Sequence, residues 1–418
     1  MSKASTSLQN RYDKSAKINQ IAEQLDVREQ KIHLKGLIGS SMSFVVKSLF
    51  TKSENPYLLI LNDKEEAAYY LNDLEQLIND EDVLFYPGSY RNPYQIDDVD
   101  NANILLRAEV LNRINSRKKP AIIVTYPEAI FEKVVTKKEL DKNTLKVAVG
   151  DQISIDFINE VLFEYEFKRV DFITEPGEFS VRGGIIDVFS FSNDNPYRIE
   201  FFGNEVDSIR SFDVETQLSI EKQKKISIIP NVENKFFQED RESFLEYINP
   251  KTVLFISNTE GLFSKLDKLF EKAGVAFEKL SKDIKHSEPE LLFLNQASFI
   301  KKALDFTVVE LASKAIFRTQ KTFEFHIQPQ PSFNKQFDLL LNNLNDNHSN
   351  GIKNFLFCSN EQQAKRFHDI FESLDEVNFE SIAKRYDTVV MPLYEGFIDE
   401  ELQVACYTDH QIFERYHK

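Results

Sequence analysis

Tryptophan is absent from this 418-residue chain, and only two cysteines (Cys358 and Cys406) and three methionines are present. Two thiols so far apart make neither a disulfide framework nor a thiolate metal site. The seven histidines are scattered, with no HxxxH or HExxH spacing, so no metal site is expected. No apolar run approaches the roughly 18–20 residues that span a bilayer, and the opening MSKASTSLQNRYDKSAK lacks the apolar stretch of a signal peptide. The expectation is a cytoplasmic protein. Positive charge is also short: 51 Lys and Arg stand against 67 Asp and Glu, a net charge of −16. The chain as a whole therefore repels phosphate backbones and lacks the footprint of an autonomous DNA binder, although a local basic groove stays compatible with it.

What is present is ample material for cores. Hydrophobic residues make up 42% of the chain, including 36 Phe, which excludes wholesale disorder. At roughly 100–200 residues per domain, the length predicts two to four domains.

The most informative stretch runs from Glu175 to Asp213. Three runs of β-branched and aromatic residues are split by Gly183-Gly184, by the polar break 192–196 and by Gly203-Asn204. The last pair, glycine first, suits a type II′ hairpin turn, and the whole reads as an antiparallel strand unit. Between Tyr197 and Phe202, alternation puts Ile199 and Phe201 on one face and Arg198, Glu200 and Phe202 on the other. An outward aromatic beside an arginine and a glutamate has the composition of a docking spot. The alternative is that Phe202 packs under a loop while the charges are solvated.

On either side the rhythm changes. A lead-in helix is expected over 13–26, then strands at 55–63, 82–87 and 120–126 alternate with helices at 65–78 and 100–114, and a further helix at EAIFEKVV. That is the pattern of βαβ crossovers and a parallel sheet. After KKISIIPN (224–231) the same rhythm resumes, with a strand at 252–258, a helix at 259–274 and a strand at LLFLN, 291–295. One discontinuous α/β domain with a β unit inserted explains both halves. The segment KTFEFHIQPQP (321–331) fits an extended linker or edge strand, and 354–418 reads as another small β/α unit that stops abruptly after a strand and a helix start.

Between Ile32 and Phe50 a strand, a Gly/Ser loop and a helix stand where a phosphate loop would sit. Set against G-x-x-x-x-G-K-[ST], Gly36 takes the first glycine and Gly39 lies inside the loop, but Ser41, Met42 and Ser43 follow where glycine, lysine and hydroxyl belong. Met42 cannot supply the charge that holds phosphates, and Ser41 hinders backbone approach. The acids Asp97, Asp98 and Asp100 could be proposed as metal ligands, but a loop of acids more often caps a helix or faces solvent.

PGEFSVRGGIIDVF followed by PYRIEFFGNEVDSIRSFD resembles the signature shared by the bacterial transcription-repair coupling factors (Mfd) and the excision-repair protein UvrB. GLIGSSMS, FYPGSYRNPY, FHIQPQPSF, LYEGF and VACYTDHQIFERYHK, in that order, resemble the coupling factors. The resemblance implies a degenerate P-loop, UvrB-like α/β domain with an inserted antiparallel β-rich domain and a small C-terminal α/β domain. The implied boundaries are a lead-in helix over 1–29, domain 1a over 30–144, domain 2 over 145–230, domain 1b over 231–318 and domain 3 over 319–418. It also implies that domain 2 binds UvrA through Arg182, Arg198 and Phe202, with Glu200 beside them. The chain would recruit UvrA to RNA polymerase stalled at DNA lesions, in transcription-coupled nucleotide excision repair, and would not itself be an enzyme. The ATP- and magnesium-dependent translocase motor, with its double-stranded DNA and polymerase contacts, would lie beyond this chain, so no cofactor is expected in it. The alternative is a UvrB-like nucleotide- or DNA-binding module with residual ATP binding. UvrB's long DNA-clamping hairpin has little room between Tyr86 and Asp100.

Overall fold

The computed structural model describes residues 3–89, 94, 101–116, 119–138, 144–191, 193, 195–229, 241–280, 287–374 and 379–414. Its largest sheet has seven strands, in the spatial order Lys321–Glu324, Lys31–Lys35, Thr307–Glu310, Val253–Ile256, Tyr57–Ile60, Ile122–Thr125 and Val83–Tyr86. Every neighbouring pair is parallel. Strands from both sides of the central β stretch thus enter one sheet. Three inner strands, Val253–Ile256, Tyr57–Ile60 and Ile122–Thr125, are buried along their whole length and largely apolar, as a parallel sheet covered on both faces requires.

The covering helices begin where the sequence supplies a cap. Asp63 accepts from the Glu66 amide at 2.8 Å to start Lys64–Leu77, whose first turn carries Glu65 and Glu66 at the positive end of the dipole. Asn258 does the same for Thr259–Glu278 through Gly261. The lead-in segment is two helices, Lys3–Asp13 and Ala16–Leu25, with Ser15 capping the second.

The central stretch forms a six-stranded sheet ordered Ser219–Gln223, Glu205–Phe212, Tyr197–Phe202, Ile185–Val188, Glu178–Arg182 and Lys168–Arg169. All pairs are antiparallel except the last. Phe179, Ile186, Val188, Ile199 and Ile209 fill one face. The helix Ile155–Glu164 serves that face, with Phe163 meeting Phe179 edge-on at 5.2 Å. The chain enters and leaves this unit through one antiparallel pair, Leu145–Ala148 against Lys225–Ile228. The protein is therefore mixed α/β, with a parallel sheet interrupted in sequence by an antiparallel β-rich unit.

A mixed five-stranded sheet follows, ordered Ile327–Pro329, Phe397–Asp399, Val404–Thr408, Lys353–Cys358 and Tyr386–Val390. The 321–331 segment gives an edge strand to each of two sheets, and Pro329, which has no amide to donate, sits at the outer edge of the second.

Two elements differ from the sequence reading. LLFLN is not a strand: Pro289–Leu292 is a short helix with proline in its first turn, and Phe293 makes only an isolated bridge to Glu132 while stacking on Phe131 at 4.6 Å. The sheet strand lies further on, at Thr307–Glu310. The helix expected over EAIFEKVV stops at Phe131, and Val134–Val135 turns extended to pair with Arg241–Glu242. Adjacent β-branched valines favour that outcome.

Candidate docking face and the Gly/Ser loop

The second face of the central sheet is polar, and its side chains follow from the register. Ser180, Asp187, Arg198, Arg210 and Lys222 lie in one cross-strand row. Arg182, Ile185, Glu200 and Ser208 form the next. Directly paired residues point to the same side, so both rows share a face. Phe202, two residues beyond Glu200, ends it at the Gly203-Asn204 turn, where only the glycine has positive φ (+64°), as the type II′ reading expects.

Phe202 is 84% exposed, which settles the alternative of a ring packed under a loop. The two arginines converge on one carboxylate. Arg198 donates to Asp187 through Nε at 2.6 Å and Nη2 at 2.8 Å, and Arg182 Nη2 reaches the same carboxylate. The Asp187 side chain is only 2% exposed, against 45% for Arg182 and 15% for Arg198. Arg198 also lies over the buried Phe212 ring at 4.4 Å and touches Gln217 at 3.3 Å. Its hydrogen bonds to Asp187 push the guanidinium pKa up, so it stays charged. Arg198 is thus more strut than surface, although alternation aims it outward. Glu200 accepts from Arg210 and, at 2.6 Å, from Ser208.

Three members of this face escaped the sequence reading. Asp187 and Arg210 could have been found by pairing the hairpin strands around Gly183-Gly184 and Gly203-Asn204. Phe172, 65% exposed with the Arg182 guanidinium 5.4 Å from its ring, carries no local signal.

The loop at 36–40 joins a strand to the helix Ser41–Lys52, as read. Gly36 (φ +89°) and Gly39 (φ +53°) take conformations that L side chains rarely adopt. Both are also crowded: an added Cβ would lie 2.2 Å from the Phe325 carbonyl oxygen at Gly36 and 2.9 Å from Glu395 Cβ at Gly39. Ser41, Met42 and Ser43 are all buried. The turn 394–396 sits against the loop: Ser40 N donates to Glu395 O and Glu395 N to Ser40 Oγ, each at 3.1 Å. Tyr394 stacks on Tyr69 at 4.3 Å and donates its amide to Asp73 at 2.9 Å. Ser43 donates to the same carboxylate at 3.2 Å. Burial pushes the Asp73 pKa up to about 7 against those hydrogen bonds, and burial raises Glu66 and Glu395 as well. Acid groups therefore surround the loop where a phosphate would need a cation.

Asp97, Asp98 and Asp100 lie outside the described residues, as does most of the segment between Tyr86 and Asp100. Among the described residues no group of three His, Cys, Asp or Glu could hold a metal ion, and no helix is long and apolar enough to cross a membrane.

Residues 145–234 match the family described as the UvrB interaction domain. The chain is 34% identical over 259 residues to a transcription-repair-coupling factor of Bacillus subtilis, an alignment covering 62% of this chain and 21% of the relative. It is 29% identical to one of Staphylococcus epidermidis over 58% of this chain and 21% of the relative. It is 25% identical to one of Haemophilus influenzae over 47% and 17%. The alignments thus span about a fifth of the length of these relatives. The six-stranded sheet and its charged face fall inside the residues that match the UvrB interaction domain, in a chain similar over about half to three fifths of its length to transcription-repair-coupling factors.

Proposed function

We propose that this chain is the UvrB-like N-terminal module of a transcription-repair-coupling factor and that it docks UvrA through the polar face of its central sheet. It brings UvrA to RNA polymerase stalled at lesions. In the whole protein an ATP- and magnesium-dependent motor acts on double-stranded DNA and displaces the polymerase, whereas this portion performs no chemistry. Arg182 and Phe202 are the contact groups, and Arg198 and Glu200 hold the face around them. The observation that carries this reading is Phe202, an aromatic side chain left 84% exposed at the end of a sheet row rich in paired guanidinium groups. Exposed aromatic and arginine anchors of this kind supply most of the energy in protein interfaces.

The Gly36–Ser43 loop, in this reading, is a phosphate loop that has lost its function. The packing of Glu395 against Gly39, the absence of lysine at Met42 and the surrounding carboxylates support that, and they disfavour residual ATP binding. The test is calorimetric titration of the chain with UvrA. Saturable binding that the triple variant Arg182→Ala, Arg198→Ala, Phe202→Ala abolishes is the expected result, and wild-type-like binding by that variant overturns it.

A further inference from the structure

Phe172 was not part of the sequence signature, yet it stands beside Arg182, one of the docking residues. The Lys168–Arg169 strand runs parallel to Glu178–Arg182, and the chain stays against that strand just past Arg169: Val170 N donates to Phe179 O at 2.9 Å and Ser180 Oγ to Asp171 O at 3.1 Å. That progression brings Phe172 beside Arg182, whose guanidinium stands 5.4 Å from the ring. Arg182 opens the Gly183-Gly184 turn, Phe201 N bonds Gly184 O at 2.8 Å, and Phe202 opens the Gly203-Asn204 turn.

Phe172 and Phe202 are both large apolar side chains left in solvent, and the Arg182 guanidinium stands against the first. Isolated exposed rings are ordinary. A ring held against a cation that is itself tied to a buried carboxylate is partly preorganised, because that pair has less side-chain freedom to lose on binding. Phe172 and its neighbours lie within 145–234, the residues matched by the UvrB interaction domain, so the pair is continuous with the docking face.

We infer that Phe172 is a further contact residue of that docking face, an aromatic anchor beside Arg182. The partner surface that fits has an apolar slot next to an acidic or carbonyl-lined patch that receives the guanidinium. This inference rests on the proposed docking of UvrA and adds to it a second aromatic anchor.

The experiment is titration of UvrA with the wild-type chain and with Phe172→Ala, Phe202→Ala and Phe157→Ala. Phe157 is exposed on the helix that serves the opposite face, so it controls for a general loss of apolar surface. Thermal midpoints verify that each variant folds. The expected result is binding weakened at least tenfold by Phe172→Ala and by Phe202→Ala, and unchanged by Phe157→Ala. Wild-type binding by Phe172→Ala with weakened binding by Phe202→Ala overturns the inference and leaves the docking proposal standing. Wild-type binding by both sinks the two together. Equal weakening by Phe157→Ala also overturns the inference, since the effect is then not one of position.

Discussion

Asp187 accepts two hydrogen bonds from Arg198, at 2.6 and 2.8 Å, while the same carboxylate receives Arg182. A bidentate Arg–carboxylate pair fixes orientation as well as charge. The nearly inaccessible acid therefore holds both guanidinium groups at defined positions on one face of the sheet.

Removing the acid leaves Arg198 without its main partner in a place only 15% exposed. Asp187→Ala is expected to cost about 2 kcal/mol of stability, below the 3–5 of a fully buried broken pair because Arg182 can turn to water. Urea denaturation measures this. Asp187→Asn keeps the shape and one acceptor, so a smaller loss is expected from it.

Phe202→Ala separates binding from folding. The ring makes so little internal contact that the unfolding free energy should move by less than about 0.5 kcal/mol, whereas affinity for UvrA should fall by about 2 kcal/mol or more. Calorimetry paired with denaturation reads both quantities. A large stability loss would mean that the ring packs internally.

The cluster around the Gly/Ser loop gives a pH dependence. The Asp73 pKa is raised to about 7 in the folded chain from an ordinary 3.8, burial being the main cause. The folded state therefore holds a proton that the unfolded state releases, so this contribution is complete at low pH and is lost as pH rises towards 7. Glu66 and Glu395 are raised as well and act in the same direction. In urea midpoints measured from pH 4 to pH 8, Asp73→Asn should flatten the fall between about pH 4 and pH 7. Ser40, Ser43 and Tyr394 donate to Asp73, and these donors limit the size of the effect.

Gly39→Val places a branched side chain at φ +53° and within 2.9 Å of Glu395 Cβ. Lower thermal stability is expected, from strain at both the backbone and the 394–396 turn. A fluorescent ATP analogue should show no saturable binding to the wild-type chain. Saturable binding would restore the nucleotide-module reading.

Where the sequence had strong periodicity and clear punctuation, elements were legible. Helix Lys64–Leu77 falls within one residue of the 65–78 that its pattern gives, and the strand–loop–helix around Gly36 stands as read. Alternation put Phe202 on the outward face but left open whether the ring packs under a loop, and the structure leaves it exposed. Short apolar runs were ambiguous: LLFLN looked like a strand until Pro289 set a helical turn, and the four residues Thr307–Glu310 gave too little signal to be seen. The docking face was half legible. Arg198 and Phe202 share one strand, but Asp187 meets Arg198 only across a hairpin register, and Phe172 reaches Arg182 from a bend outside the strands. The filling of the Gly/Ser loop was not legible at all, because Ser40 and Glu395 are 355 positions apart.

The antiparallel pair Leu145–Ala148 and Lys225–Ile228 brings both ends of the β-rich unit side by side. Tension running along the chain, between whatever flanks residues 145 and 228, can pass across this short zipper without stretching the six-stranded sheet. Tension that draws residue 145 away from residue 228 opens this zipper from its outer end, Leu145 from Ile228, one hydrogen-bonded pair at a time, whereas a load applied to the unit by a bound partner pulls both strands the same way and leaves their pairing in register.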